Sequence, residues 1–140
     1  MFYSAHTFEE LMKNPLLIPK EEGIYLVMKN NDFKFELIKD KYYDDEVLTN
    51  KYEKSKNNDL LYIGKANGKK GLYQRIQQYI KYGRGIGSTH KGGRAIFQLK
   101  NWQNLLVLYA PFTGCEKLEK DMLKEFKKEY GTYPLANFRN

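Results

Sequence analysis

Cysteine is nearly absent from this chain: Cys115 stands alone, which forbids an internal disulfide and fits a reducing, cytoplasmic compartment. The two histidines, His6 and His90, lie far apart, so with one thiol they cannot complete the four-ligand set of a zinc site. Long apolar runs are missing too; residues 105–111 are among the longest, far short of the ~20 that a membrane-spanning helix needs. No basic segment leads into an apolar one at the N-terminus, so no signal peptide is expected. The most informative absence is acid. Between Leu60 and Cys115 there is no Asp or Glu, whereas Lys65, Lys69, Lys70, Arg75, Lys81, Arg84, Lys91, Arg94 and Lys100 all fall there. The formal charge of +7 therefore belongs to the middle of the chain, and the remainder sums to −2.

What is present suffices for a core. Hydrophobic residues make up 41% of 140 and aromatics 15%, which excludes a disordered chain. A chain of this length reads as one domain and buries roughly two-thirds of its unfolded surface. A basic block in a reducing compartment points to a polyanionic partner.

Thr7 followed by Glu10 has the signature of a capping box, opening a short helix to Met12 that Pro15 stops. Residues 23–28 alternate as a strand, with Ile24, Leu26 and Met28 on one face and Tyr25 and Val27 on the other. Phe33, Phe35 and Leu37 also alternate, which predicts a hairpin across residues 30–32, and 51–59 reads as an exposed loop. A second apolar strand runs from Leu60 to Ile63 and ends at Gly64. Gly68 and Gly71 bracket Lys69 and Lys70 before a helix from about Leu72 to Tyr82. Five glycines from Gly83 to Gly93, set among Arg84, Ser88, His90 and Lys91, predict a flexible basic loop. Residues 105–110 supply a third strand. Thr113 with Glu116 then makes a second capping box, opening a helix to about Tyr130. The pattern is that of a single α/β domain.

On a projection of the last helix, Cys115, Leu118, Met122, Leu123, Phe126 and Tyr130 share one side. Glu119 falls near the centre of that apolar arc and Glu116 near its edge. An inward carboxylate must be paired, hydrogen-bonded or bound to a cation, because stranding it is costly. Glu119 is therefore either half of a structural ion pair with an internal arginine, or a metal ligand or catalytic acid in a cleft. The preceding helix has Leu72, Ile76, Tyr79 and Ile80 on its apolar face, with Arg75 at the border beside Tyr79. A guanidinium fork suits phosphate oxygens, although a plain surface arginine would be spaced the same way. Tyr25 and Tyr62, taken singly, are β-preferring core aromatics.

Together these residues resemble the GIY-YIG nuclease superfamily. Gly23-Ile24-Tyr25 and Tyr62-Ile63-Gly64 match its two signature tripeptides. Lys65-Ala66-Asn67, then Leu72, Arg75 and Tyr79, resemble its first helix and approach. Leu118-Glu119 and Asn137, after Pro134, follow in family order, so the likeness spans about residues 22–138. Two departures stand out. Family members join the tripeptides by a short hairpin, whereas 36 residues separate Tyr25 from Tyr62, which marks 29–59 as an insertion. Related nucleases often carry His where this chain has Tyr79.

The resemblance implies an α+β sandwich: a small central three-stranded, mainly antiparallel sheet flanked by helices, preceded by an N-terminal helix and extended segment over 1–21. It implies a metal-dependent endonuclease acting on DNA, RNA remaining open, with one Mg²⁺ or Mn²⁺ held by Glu119. Arg75 would clamp the scissile phosphate. Tyr25 would orient or deprotonate the attacking water, helped by Tyr62, once nearby cations lowered its pKa. Tyr79 would contact the water or phosphate, and Asn137 would steady the Glu119 helix or a phosphate. Lys65, Lys69, Lys70, Arg84, His90, Lys91 and Arg94 would neutralise backbone phosphates, giving salt-sensitive binding that is largely blind to sequence. Cutting both strands would require a homodimer, two successive events or a separate partner. A nucleic-acid-binding module that keeps the fold without turnover is the alternative, and a protein-interaction domain is a third.

Overall fold

In the computed structural model, which describes residues 1–38, 43–86 and 92–138, four strands make one antiparallel sheet. They are β1 (Ser4–Thr7), β2 (Gly23–Met28), β3 (Leu60–Ala66) and β4 (Leu106–Pro111), in the spatial order β1-β4-β2-β3. The helices are α1 (Phe8–Lys13), α2 (Asp45–Ser55), α3 (Gly71–Gly83) and α4 (Cys115–Tyr130). Period-2 alternation in β2 sorts the layers. Ile24 and Leu26 join Ile63, Ala110 and Leu123 in a cluster beneath α4. Tyr25 and Val27 join Tyr62, Val107 and Tyr109 on the other face, against Phe8 and Leu11 of α1 and Leu72, Ile76 and Tyr79 of α3. The α/β expectation holds, with helices covering both faces. Among the described residues no helix is long and apolar enough to cross a membrane.

The differences from the sequence reading have local causes. The sheet has four strands rather than three because Ser4–Thr7, too short to show a pattern, pairs with β4 at Ser4–Tyr109 through Thr7–Leu106. Thr7 then turns directly into α1: its hydroxyl accepts from the Glu10 N–H at 3.0 Å and Glu10 Oε1 accepts from the Thr7 N–H at 2.8 Å. That capping box forms as expected. The one at Thr113 and Glu116 does not: Gly114, at φ 86°, is the N-cap of α4 and no side chain caps it.

Residues 33–37 form no strand beside β2, because β2 is central and already pairs with β3 on one side and β4 on the other. Leu37 makes only an isolated bridge to Leu99, and Phe35 stacks on Tyr52 with centroids 4.2 Å apart. Part of the expected exposed loop at 51–59 is helix: α2 buries Leu48 and Ser55, seven residues apart on one face. Finally, β3 continues through Gly64 to Ala66, in register with β2 from Tyr25–Gly64 to Gly23–Ala66.

Candidate functional site

Glycines decide how closely the two signature strands pack. Across the β2–β3 pair, the Tyr25 ring lies directly over Gly64, where an added Cβ would sit 2.3 Å from Tyr25 Cζ. A Cβ on Gly23 would meet the Ala110 carbonyl oxygen at 2.2 Å and Leu72 Cδ1 at 2.7 Å, so this glycine lets α3 close onto the sheet. The two tripeptides are thus one packing unit that seats Tyr25.

Tyr25 and Tyr62 meet at 6.0 Å between ring centroids, and Tyr79 packs against both, at 6.0 and 5.5 Å. Above them, at the C-terminal end of the edge strand β3, opens a cavity of about 320 Å³. Tyr25, Tyr62, Lys65, Arg75 and Glu119 all line it, so five of the residues singled out from sequence converge at one place. The two helices reach it from opposite faces of the sheet. On α3, Gly71, Gln74, Arg75 and Gln78 form the lining stripe, at the i, i+3, i+4, i+7 spacing of one helical face. From α4, Glu119 reaches in and pairs with Lys65 of β3, Nζ to Oε1 3.5 Å, with only 17% of the carboxylate side chain exposed.

Burial governs the protonation of this site. It lifts the Glu119 carboxyl above its ordinary value even though Lys65 pulls it down. The carboxylate is therefore under-compensated, and a further cation would stabilise it. Burial also pushes the Tyr25 phenol up to about 12, against the opposing pull of Arg75 and of a hydrogen bond from Tyr62. The cations near Tyr25 thus do act in the expected direction, but desolvation exceeds them, and Tyr25 is protonated at neutral pH. Tyr62 is raised further above the ordinary phenol value, first by burial and then by Tyr25. The chain's own groups consequently offer hydroxyl donors and a guanidinium, with one carboxylate that suits a hard, partly hydrated cation. Among the described residues there is no cluster of three His, Cys, Asp or Glu.

Other predicted residues lie elsewhere. Tyr79 is fully buried and donates to the Gly93 carbonyl oxygen at 2.6 Å, so it builds the wall behind the cavity and does not face it. Asn137 uses both ends of its amide on the edge of β3: Nδ2 donates to the Ile63 carbonyl and Oδ1 accepts from the Ile63 N–H, each at 3.0 Å. It steadies the strand that carries Tyr62, rather than the Glu119 helix. Lys69 and Lys70 are exposed in the turn between β3 and α3, beside the mouth. Arg84 caps the far end of α3 and lines a separate groove with Leu11 and Met12. Arg94 lies over the Tyr82 ring, 5.1 Å from its centroid, half-buried. His90 and Lys91 lie outside the described residues. Cys115 is core.

Sequence reasoning missed Asn67, Gln74 and Gln78 as lining residues. The glutamines were findable, since they share the Arg75 face of a helix already recognised. It also missed Gly93, whose φ of 73° and close approach to Tyr79 and Tyr62 carry no local signature. Compared with protein-family models, curated proteins and solved structures, the chain matches none.

Proposed function

We infer that this chain is a metal-dependent endonuclease of the GIY-YIG type, hydrolysing phosphodiester bonds in DNA. The observation that carries the reading is the convergence of Tyr25, Tyr62, Lys65, Arg75 and Glu119 on one cavity from β2, β3, α3 and α4. Fold alone would not suffice, because folds host many functions and the site must make the case.

Glu119 would hold one Mg²⁺ or Mn²⁺, a fit supported by its under-compensated charge. The bound ion supplies charge neutralisation at the phosphate and lowers the pKa of water near it. Arg75 binds phosphate oxygens through its fork and neutralises charge that grows on them during displacement. Tyr25, held protonated, orients water or a phosphate oxygen through its hydroxyl, and Tyr62 supports it by the hydrogen bond between them. Lys65 balances Glu119 until substrate and ion arrive, and then faces the phosphate as a point charge. Lys69 and Lys70, at the mouth, add attraction for the backbone that is independent of sequence. The unpaired, buried Cys115 accords with a cytoplasmic setting.

The second reading, nucleic-acid binding without turnover, is favoured by one observation: Lys65 already pairs with Glu119. Incubation with duplex, nicked, flapped and branched DNA in Mg²⁺ or Mn²⁺ separates the two. The nuclease reading expects metal-dependent product from wild type and none from Glu119→Ala. Binding with no product from any substrate would favour the module, and equal product from both proteins would remove the role given to Glu119.

A further inference from the structure

A second cavity, of about 420 Å³, adjoins the first: Tyr62, Lys65 and Glu119 line both. Beside Leu123 of α4 and Gly92 and Gly93, its other walls include two aromatic residues that the nuclease reading leaves without a role. Tyr43 belongs to the insertion, Phe138 to the C-terminal tail, and Asn137 beside it is the residue clamped on Ile63. The rings of Tyr43 and Phe138 stack in parallel, 4.0 Å between centroids and 6° between planes. Lys51 of α2 lies 4.0 Å from the Phe138 centroid and donates to the Asn137 carbonyl. Gln98 fixes the Tyr43 backbone by two hydrogen bonds, at 3.1 and 3.0 Å. The aromatic pair is thus held at three points, yet Phe138 is 37% exposed. With Tyr43 on one face and the Lys51 ammonium over the other, Phe138 backs its partner, and a planar group entering the cavity would stack on the outer face of Tyr43.

The chemistry of the two cavities differs in a way that sets a direction. Arg75 lines only the first, and the aromatic pair lines only the second. Glu119 and Lys65 stand on the shared wall as an ion pair, which leaves Arg75 as the guanidinium free of that pair. A phosphate therefore belongs on the Arg75 side, with an uncharged, planar group beyond Glu119. The volume lies within the ~300–1,000 Å³ range of small-molecule sites. A base in an intact duplex reaches such a lateral cavity only by leaving its stack, whereas an unpaired base is available at once.

We propose that the Tyr43–Phe138 cavity is a subsite for one unpaired nucleotide of a DNA strand, next to the phosphate bound at Arg75. It makes the protein selective for flapped or single-stranded junctions over continuous duplex. The inference rests on the nuclease reading for the position of the phosphate, but its test needs no cleavage.

The probe is a flapped DNA with 2-aminopurine at the first unpaired position, compared with a fully paired duplex of equal length, in EDTA at fixed salt. Wild type should bind the flap more tightly than the duplex and quench the 2-aminopurine. Tyr43→Ala and Phe138→Leu should each lose about 5- to 150-fold in flap affinity, the fold-change that ~1–3 kcal/mol of base stacking represents. Quenching should disappear while duplex affinity stays at the wild-type level. Phe138→Leu keeps an apolar group beside Lys51, so it carries the test if Tyr43→Ala fails to fold. Unchanged flap affinity in Phe138→Leu, an equal loss on flap and duplex, or no flap preference in wild type would each overturn the proposal. Flap selectivity lost in these variants, in a protein that cuts no DNA with metal, would leave the subsite standing and remove the nuclease reading. Metal-dependent cutting without flap selectivity would do the reverse.

Discussion

Replacing Gly64 by alanine tests why the second signature tripeptide ends in glycine. The added Cβ would lie 2.3, 2.6 and 2.7 Å from Cζ, Cε1 and Cε2 of Tyr25. Carbon atoms in contact sit ~3.5–4.0 Å apart, so the ring must retreat by about 1 Å or more. Its room is limited: Tyr25 is 1% exposed, Tyr62 and Tyr79 flank it, and any shift displaces it within the cavity wall. Overpacking of this kind costs about 1–3 kcal/mol. For a domain of this length that lowers Tm by about 3–12 °C, at roughly 3–4 °C per kcal/mol. The sharper test is a double-mutant cycle followed by thermal unfolding. With the ring removed by Tyr25→Ala, the three nearest atoms to the added methyl are gone, and Gly64→Ala should then cost much less. The coupling should equal most of the single-mutant penalty. A Tm for Gly64→Ala within a degree of wild type would refute the reasoning. So would two penalties that simply add.

Three further outcomes follow from the same structure. Asn137→Ala leaves the buried N–H and C=O of Ile63 without their amide partner, which should cost about 2–6 kcal/mol in urea unfolding, at ~1–3 kcal/mol per stranded group; a loss below half a kcal/mol would mean that water replaces the clamp. Thr7→Ala should cost about 1 kcal/mol by removing a formed cap, whereas Thr113→Ala should be near neutral; equal losses would contradict the assignment of Gly114 as N-cap. Glu119→Gln should raise Tm at pH 7 and not at pH 4. Burial holds the folded-state carboxyl above its unfolded value, so the native state releases that proton reluctantly, and stability is lost as pH rises through and above the ordinary carboxylate range. A gain that persists unchanged at pH 4 would show that the charge is not its source.

Much of the site was legible in the chain because it depends on short-range pattern. Alternation placed Tyr25 inside a strand, and helical periodicity aimed Glu119 inward. The 3.6-residue repeat also put Arg75 on the border of α3 and Tyr79, four residues on, on its buried face. What stayed hidden depends on long-range geometry. Pairing of Ser4–Thr7 with β4 spans a hundred residues, and the short strand has no alternation of its own. The alternating phenylalanines at 33 and 35 promised a hairpin, and only the crowded position of β2 forbids it. Asn137 carries no local sign that its amide will close on Ile63, 74 residues away. The pKa of Tyr25 was equally out of reach, since the sequence names the cations but not how completely the ring is buried.

The central claim is that Glu119 and Arg75 act on one phosphodiester in the cavity they share. Single-turnover cleavage of a labelled DNA in Mg²⁺ or Mn²⁺, with wild type, Glu119→Gln and Arg75→Ala in parallel, tests it most directly. Affinity for the same DNA is measured in EDTA. Each variant should cut at least ~10²-fold more slowly, the usual loss when one charge-stabilising group is removed, while binding persists. Cleavage by either variant at the wild-type rate would contradict the claim.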